Sequence, residues 1–393
     1  MNIALFGYGV GNIKGGGGAE RFFADFFEAY HQSDIAKFNL YFILDTNSIS
    51  NLNQVNKLNS RKNILPFKIF SNRFKDRLES LQLAWLIVRH KIRIIHIPLY
   101  NRTYIPILKR IDRLPSFIRP EIIINIVNAC VPEILLNATD KRYQSYYNTY
   151  MPLFKEVHVD GYFCWNQSFV DYVNKANVFT DNPKKIKAIQ SRFSDTKKFT
   201  PRYPKKKTII FAGRLVTEKK PDWFIEAAHI LTTSHPDEIK GWCFILLGDG
   251  ELRNQLEESV KSKNMGDTFS MKIEGDISNH INSSMIYVSC QDCDNFPSLS
   301  MAEAMSAGNA IVARNLGQTN LFVISNHNGL IIQPDSPSGL ADALLKLVTN
   351  KELTEEMGKK SIELMKNVHT IPNFIRQIDA FWESFNPDNN SSE

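Results

Sequence analysis

The chain has 393 residues, too many for one ordinary hydrophobic core, so its length points to two domains. With 43% hydrophobic and 22% charged residues it reads as globular, and 47 Lys and Arg against 41 Asp and Glu leave a net charge of +6, which suits phosphorylated ligands, an anionic membrane face or nucleic acid without selecting one. Five scattered cysteines, an odd number, argue against a disulfide framework and fit a reducing compartment. Cys290 and Cys293 form a C-x-x-C with no second pair to complete a four-thiolate zinc site, so no metal is expected.

The N-terminus, "MNIALFGYGVGNIKGGGG", opens on a short apolar run that glycines break, too short for a signal peptide. Strand and helix patterns then alternate: "NIALFG", "AERFFADFFEAYHQ", "FNLYFILD", "RLESLQLAWLIVRHK", "IRIIHIP" and "IIINIVN". Apolar strands separated by amphipathic helices predict a parallel sheet covered on both faces. The segment "EIIINIVNACVPEILL" is interrupted by Asn, Pro and Glu and falls short of a membrane span, so a cytoplasmic protein is expected, with peripheral membrane contact left open. "VHVDGYFCWNQSFVDYVNKAN" reads as a strand, a short turn and a helix capped at Asn166 or Ser168.

The pattern fails between about 191 and 207, in "SRFSDTKKFTPRYPKKK", which marks the domain boundary. The basic clusters there and in "KRIDRLPSFIR" (109–119) read as solvated face or linker. A second alternation follows: "TIIFAGRL", "DWFIEAAHILTTS", "CFILLGDG", "ELRNQLEESVKSK", "MKIEGD", "MIYVSC", "SMAEAMSAG", "AIVAR", "GLIIQP" and "SGLADALLKLVTN". The expected organisation is an α/β chain of two Rossmann-like domains, 1–195 and 196–370, facing each other across a cleft. A C-terminal helix and polar tail (371–393) would fray at the end and pack back on the first domain.

Loops that follow strands in such sheets carry the ligand. "GYGVGNIKGGGGAERFF" has the glycines for close backbone approach and a helix whose N–H groups suit a phosphate, but its spacing is not G-x-G-x-x-G and no acid follows about 20 residues on, which argues against NAD. In "FAGRLVTEKKPDW", Arg214 and Lys219 stand in a loop leading to a helix with Pro221 in its first turn, and two such cations can neutralise a diphosphate without a metal. Gly248 and Gly250 permit the turn in "LLGDGEL", where Asp249 serves either as a cap or as a ligand contact. In "DNFPSLSMAEAMSAG" (294–308), either Ser298 or Ser300 caps a helix whose early Glu303 complements the dipole, or the free helix N-terminus is an anion site with a carboxylate beside it.

From about 208 to 348 the chain resembles the retaining nucleotide-sugar glycosyltransferases of the GT-B fold, specifically the large family 4. The pieces that carry the resemblance are "AGRLVTEKKPDWFIEAA", "LLGDGEL", "DNFPSLSMAEAMSAGNAIVA" and "NGLIIQP", in the family's order, with a looser match through "GGGGAERFF". The resemblance implies that Glu303 holds the nucleotide ribose and that Asp294 sits by a donor-sugar hydroxyl. It also implies that backbone N–H groups from Phe296 through Pro297 and Ser298 to Leu299 contact sugar or phosphate, and that Arg214 and Lys219 form the diphosphate pair. Gly16, Gly17, Gly18, Gly213, Gly248 and Asp249 complete the donor side. This chain departs from the family's Glu-x7-Glu by having an Asp and one extra residue before Glu303. The family's first-domain His is replaced by Asn128, while His96, after the preceding strand, is read first as a core or surface histidine.

The implied reaction moves a sugar from a nucleoside diphosphate sugar, UDP- or GDP-linked and metal-independent, to a hydroxyl of a glycan or lipid-linked acceptor, as in cell-surface polysaccharide synthesis. Nucleic acid is not an expected partner; an anionic membrane is, through the basic and aromatic stretch "YNRTYIPILKRIDRLPSFIR". Two other readings remain open here: a nucleotide-sugar epimerase or phosphorylase of the same architecture, and a nucleotide-sugar-binding subunit without catalysis.

Overall fold

The computed structural model describes residues 1–7, 18–54, 63–126, 144–176 and 178–386. The chain divides into two compact units, Met1–Gln190 joined by the stretch from Ile371, and Ser191–Thr370. In the first, β1 (Asn2–Gly7), α1 (Gly18–His31), β2 (Asn39–Asp45), α2 (Thr46–Gln54), β3 (Ile64–Phe67), α3 (Lys75–His90), β4 (Ile92–Ile97), α4 (Ile105–Ile111), β5 (Glu121–Ile126), α5 (Gln144–Glu156), β6 (Gly161–Cys164), α6 (Gln167–Ala176) and β7 (Lys185–Ala188) follow in order. All strand pairs are parallel, in the order β3-β2-β1-β4-β5-β6-β7. The central strands are near-continuous apolar runs because helices cover both faces of a parallel sheet.

The second unit comprises β8 (Lys206–Ala212), α7 (Pro221–Ser234), β9 (Cys243–Leu247), α8 (Arg253–Ser262), β10 (Phe269–Lys272), α9 (Ser278–Ser283), β11 (Ser284–Ser289), α10 (Leu299–Ser306), β12 (Ala310–Ala313), β13 (Gly329–Ile331), α11 (Pro337–Val348) and α12 (Lys351–Asn367). Its six parallel strands run β10-β9-β8-β11-β12-β13. Every residue of β11 is buried, as befits a strand flanked on both sides. Helix starts are capped from the sequence: Ser336 accepts from the Gly339 N–H at 3.1 Å just before Pro337, and Asn350 accepts from the Leu353 N–H at 2.9 Å.

Several elements depart from the sequence pattern for identifiable reasons. The strand β3 contains Pro66, which reads as a strand breaker, but β3 is an edge and the missing N–H faces no partner. The helix α6 is capped by Asn166, which accepts from the Ser168 N–H at 2.8 Å, and not by Ser168. In the basic linker, Lys205 is not solvated: its amine donates to the carbonyls of Ser284 (2.8 Å) and Ala307 (2.5 Å), and burial lowers its pKa to about 7. The polar tail from residue 387 lies outside the described residues.

The helix α13 (Ile371–Glu383) follows the second unit in sequence and packs into the first. Phe374 meets Phe22, Phe26 and Trp165 at ring-centroid distances of 5.1, 5.1 and 5.6 Å. Asp379 accepts from the Tyr30 hydroxyl (2.6 Å) and the Lys37 N–H (3.0 Å), and the indole of Trp382 donates to His96 Nδ1 (3.2 Å). Polar anchors amid aromatic packing fix the helix rotationally as well as burying its apolar face. Trp382→Ala should therefore cost about 3–5 kcal/mol, with His96 also losing its donor, read as a lowered urea midpoint with helix content retained in the native baseline.

Candidate active site

Where neighbouring parallel strands send their connections to opposite faces, a crevice opens at their carboxyl ends. In the second unit this happens between β8 and β11. The loop leaving β8 is laced to the loop leaving β9: the Gly213 N–H donates to the Leu247 carbonyl (3.0 Å), Leu215 to Asp249 (2.9 Å) and Leu252 to Leu215 (3.0 Å). This contact needs glycine at 248, where an added Cβ would lie 1.9 Å from the Gly213 carbonyl oxygen. Asp249 is exposed and its carboxylate accepts from the Gly250 N–H (2.9 Å), so in this structure it caps the turn. The lacing leaves Arg214 exposed and Lys219 half-buried at the strand end.

The loop leaving β11 meets this one directly. The Lys219 amine donates to the Gln291 side-chain carbonyl, and the Asp292 N–H donates to the Glu218 carbonyl at 2.9 Å. The Tyr287 hydroxyl donates to the Ala212 carbonyl (3.1 Å) and lies 2.8 Å from the Ser300 hydroxyl, bridging the ends of both strands to α10. Gly213, Lys219, Tyr287, Gln291, Ser298 and Ser300 line one small cavity. The segment following Gln291 is stitched internally: Asn295 accepts from the Ser289 hydroxyl (2.6 Å) and donates to Thr319 Oγ1 (3.0 Å).

Ser298 is the N-cap of α10, accepting from the Met301 N–H at 3.4 Å; Ser300 lies inside the helix. The Phe296 N–H is already donated to Asp294 Oδ1 (2.9 Å) and the Ser298 N–H to the Asn295 carbonyl (2.7 Å), while Pro297 has none. Of the four backbone groups expected to meet a ligand, that leaves the Leu299 N–H, in the first turn of the helix. Phe296 is fully buried against Phe322 at 5.1 Å and serves as an anchor for the loop. Glu303 is the fifth residue of α10, past the first turn, so the dipole account of it fails. It is buried; the Tyr287 hydroxyl pKa is pushed up chiefly by that residue's own burial, and the Glu303 charge adds to the shift.

Asp294 is 1% exposed and both its oxygens are engaged by backbone, Oδ2 accepting from the Gln318 N–H at 2.7 Å. Gly317, at φ 52°, abuts it so closely that a Cβ there would sit 2.4 Å from Asp294 Oδ2. The carboxyl therefore holds the 316–318 turn against the start of α10. Burial pushes its pKa up to about 7 although two N–H donors oppose the shift. Burial also raises the Cys290 thiol, which keeps this member of the C-x-x-C protonated.

In the first unit His96 lies on β4, beside β1 at that sheet's own reversal. It is fully buried between Phe163 and Trp382, and because Nδ1 accepts from the indole, the ring proton resides on Nε2, which has no partner among the described residues. Burial drops its pKa to about 3. His96 is thus a core histidine. Gly18 opens α1, while Gly16, Gly17 and Asn128 lie outside the described residues. In the stretch 100–119, Tyr100, Tyr104, Ile107, Leu108 and Ile111 are core and Arg119 pairs with Asp112 and Asp160 at 2.9 Å each, while Arg102, Arg110, Arg113 and Phe117 are exposed.

Residues 193–364 match the family described as glycosyl transferases group 1. The match spans 172 of the 393 residues and lies within the second unit, which carries the likeness. A 2-deoxystreptamine N-acetyl-D-glucosaminyltransferase of Niallia circulans is 29% identical over 157 residues, 39% of this chain and 39% of that protein. The GalNAc-alpha-(1->4)-GalNAc-alpha-(1->3)-diNAcBac-PP-undecaprenol alpha-1,4-N-acetyl-D-galactosaminyltransferase of Campylobacter jejuni is 26% identical over 186 residues, 47% of this chain and 51% of that protein. The chain thus spans about two fifths to one half of the length of these curated relatives. Anabaena HepE, crystallised in complex with UDP and glucose, matches with a TM-score of 0.71 and 14% identity over 98% of this chain and 100% of that one, a likeness of fold. The two parallel sheets are those of GT-B glycosyltransferase structures.

The residues of the second unit that sequence reasoning missed are the ones that join loops: Tyr287, Gln291, Asn295 and Gln318. Tyr287 could have been found as the one large polar residue in an otherwise apolar buried strand; the others carry no local signal. Two titrations test the buried groups. The Asp294 carboxyl should titrate near pH 7 by carbon-detected NMR; since an unfolded Asp titrates near 3.9, its contribution to stability is full below about pH 4 and is lost as pH rises through about 7. The His96 ring resonances should stay unmoved down to about pH 4, while the unfolded chain takes up that proton near 6.5, so acidification below 6.5 weakens the fold.

Proposed function

We propose that the chain is a retaining glycosyltransferase, of EC 2.4 type, that moves a sugar from a UDP-linked donor to a hydroxyl of a glycan or lipid-linked acceptor, on the cytoplasmic side and in the synthesis of a cell-surface polysaccharide. The observation that carries this reading is the convergence of Lys219 with Ser298 and Ser300 at the start of α10 around one cavity, with the exposed Arg214 two residues beyond the end of β8. Two cations and a helix N-terminus form an electrostatic frame for a diphosphate. The matched relatives are named as aminosugar transferases, one of them acting on an undecaprenol-linked glycan, and the Anabaena neighbour holds UDP and glucose, which favours UDP as the donor base and a hexose-type sugar. Among the described residues no helix is long and apolar enough to cross a membrane.

In the proposed reaction the bond from the anomeric carbon to the diphosphate oxygen breaks and a bond from that carbon to the acceptor oxygen forms on the same face. The acceptor proton passes to the departing diphosphate. Arg214 and Lys219 would stabilise the charge that develops on the leaving group, with the Leu299 N–H adding a donor, and the rest of the catalysis is positioning. Glu303 would hold the ribose. Asp294 would act through the 316–318 turn it fixes, as a positioning residue. His96 would take no part in the chemistry, because its ring is fully buried and Nδ1 already accepts from the Trp382 indole, so no ring nitrogen is open to an acceptor hydroxyl.

The test is transfer with UDP-, GDP- and ADP-sugars on wild type and Arg214→Ala. The wild type should turn over one UDP-sugar, and Arg214→Ala should lose roughly 10²–10³-fold in kcat with an unchanged melting temperature, since the side chain is exposed. An Arg214→Ala protein as active as wild type would refute the assignment. Conversion of the donor without any acceptor would point to an epimerase, and UDP binding with neither transfer nor slow donor hydrolysis to a non-catalytic subunit.

A further inference from the structure

The helix α3 is apolar on two opposed faces. Its inner face, Leu83, Leu86 and Ile87, is buried in the core of the first unit. Its outer face exposes Leu81 (59%), Trp85 (57%) and Val88 (53%), with Phe74 (52%) at the N-cap position. The spacings of seven, four and three residues put all four on one stripe, about 21 Å long at 1.5 Å per residue. A soluble helix has no internal reason to place Trp, Leu, Val and Phe in a row toward water, and contiguous apolar stripes of this kind mark interaction surfaces.

The chemistry around the stripe says what it meets. From residue 73 to 93 the chain carries Arg73, Lys75, Arg77, Arg89, Lys91 and Arg93, all exposed, against Asp76 and Glu79. Glu79 is buried and accepts from the Phe70 N–H at 3.0 Å, so it does not offset the surface charge. At 100° per residue Arg77 and Arg89 fall on the two sides of the stripe. The guanidinium of Arg89 lies over the Trp85 ring at 5.2 Å and that of Arg73 over Phe74 at 4.7 Å, each placing a cation at the edge of an aromatic ring.

We propose that the outer face of α3 is a membrane-docking surface that seats on a bilayer containing anionic lipid, with Phe74, Leu81, Trp85 and Val88 at the level of the acyl boundary and the flanking arginines at the headgroup phosphates. An amphipathic helix with aromatic and aliphatic residues between cations lies in the plane of the interface, and each Lys or Arg there draws anionic lipid. A protein groove would have to be acidic and apolar along about 21 Å to match the same face; a bilayer offers both properties everywhere. The inner face anchors α3 in the unit, so the helix is presented preformed. This surface is distinct from the stretch 100–119 that the sequence suggested, and it stands whatever reaction the second unit carries out.

The experiment is co-sedimentation of the full chain with vesicles of phosphatidylcholine alone and of phosphatidylcholine mixed with phosphatidylglycerol, at low and high salt. Wild type should bind the anionic vesicles at least about tenfold more tightly, and high salt should weaken that binding. Leu81→Ser with Trp85→Ser should lose binding to both kinds of vesicle, and Arg77→Glu with Arg89→Glu should lose the preference for anionic lipid. Because these side chains are largely exposed, both variants should keep the wild-type melting temperature and circular dichroism. No binding by wild type, equal binding to neutral vesicles, or variants that bind like wild type would overturn the proposal. So would a wild-type dimer by analytical ultracentrifugation that the serine variant converts to monomer, since the stripe would then pair two copies of the chain.

Discussion

The neighbouring strands β8 and β11 send their connecting helices to opposite faces of one parallel sheet, and the candidate site follows from that single reversal. A crevice at their carboxyl ends is unavoidable, but its floor has to be closed by groups that hydrogen-bond across it. Tyr287 does this by reaching the Ala212 carbonyl and the Ser300 hydroxyl at once, and Gln291 does it by meeting the Lys219 amine. With the floor fixed, Lys219 and the start of α10 line the same cavity, and the exposed Arg214 follows the end of β8.

The acids of the site divide by what they touch. Asp294, with both oxygens taken by backbone N–H groups, organises the turn at 316–318; its elevated pKa results from that enclosure and is no sign of proton-transfer chemistry. Glu303 is farther along α10, buried, and close enough to Tyr287 for its charge to act on that hydroxyl. The two acids of the motif are therefore not equivalent: Asp294 shapes the backbone and Glu303 sits within the helix.

The first unit is held by a different device. The helix α13 comes from the far end of the chain, and its Trp382 and Asp379 satisfy buried polar partners on β4 and α1. That arrangement commits His96 to the core. On another part of the same unit α3 exposes apolar and cationic side chains together, so that the proposed donor site and the proposed membrane surface lie on separate elements.

Local chemistry was enough to read the alternating α/β pattern, the turn at Gly248 and Gly250, a serine cap at 298 or 300 and the placement of Arg214 and Lys219 after a strand, because each depends on residues within one turn or one strand. The edge strand β3 was hidden by Pro66, whose cost vanishes only when no neighbour needs its N–H. The uses of His96, Lys205 and Asp294 were beyond the sequence, since burial and hydrogen-bond partners set them and these come from residues up to 286 positions away, as in the bond from Trp382 to His96. The basic and aromatic stretch 100–119 shows the same division: only tertiary packing, which buries Tyr104 and leaves Phe117 exposed there and buries Leu83 but exposes Trp85 on α3, decided which side chains face outward.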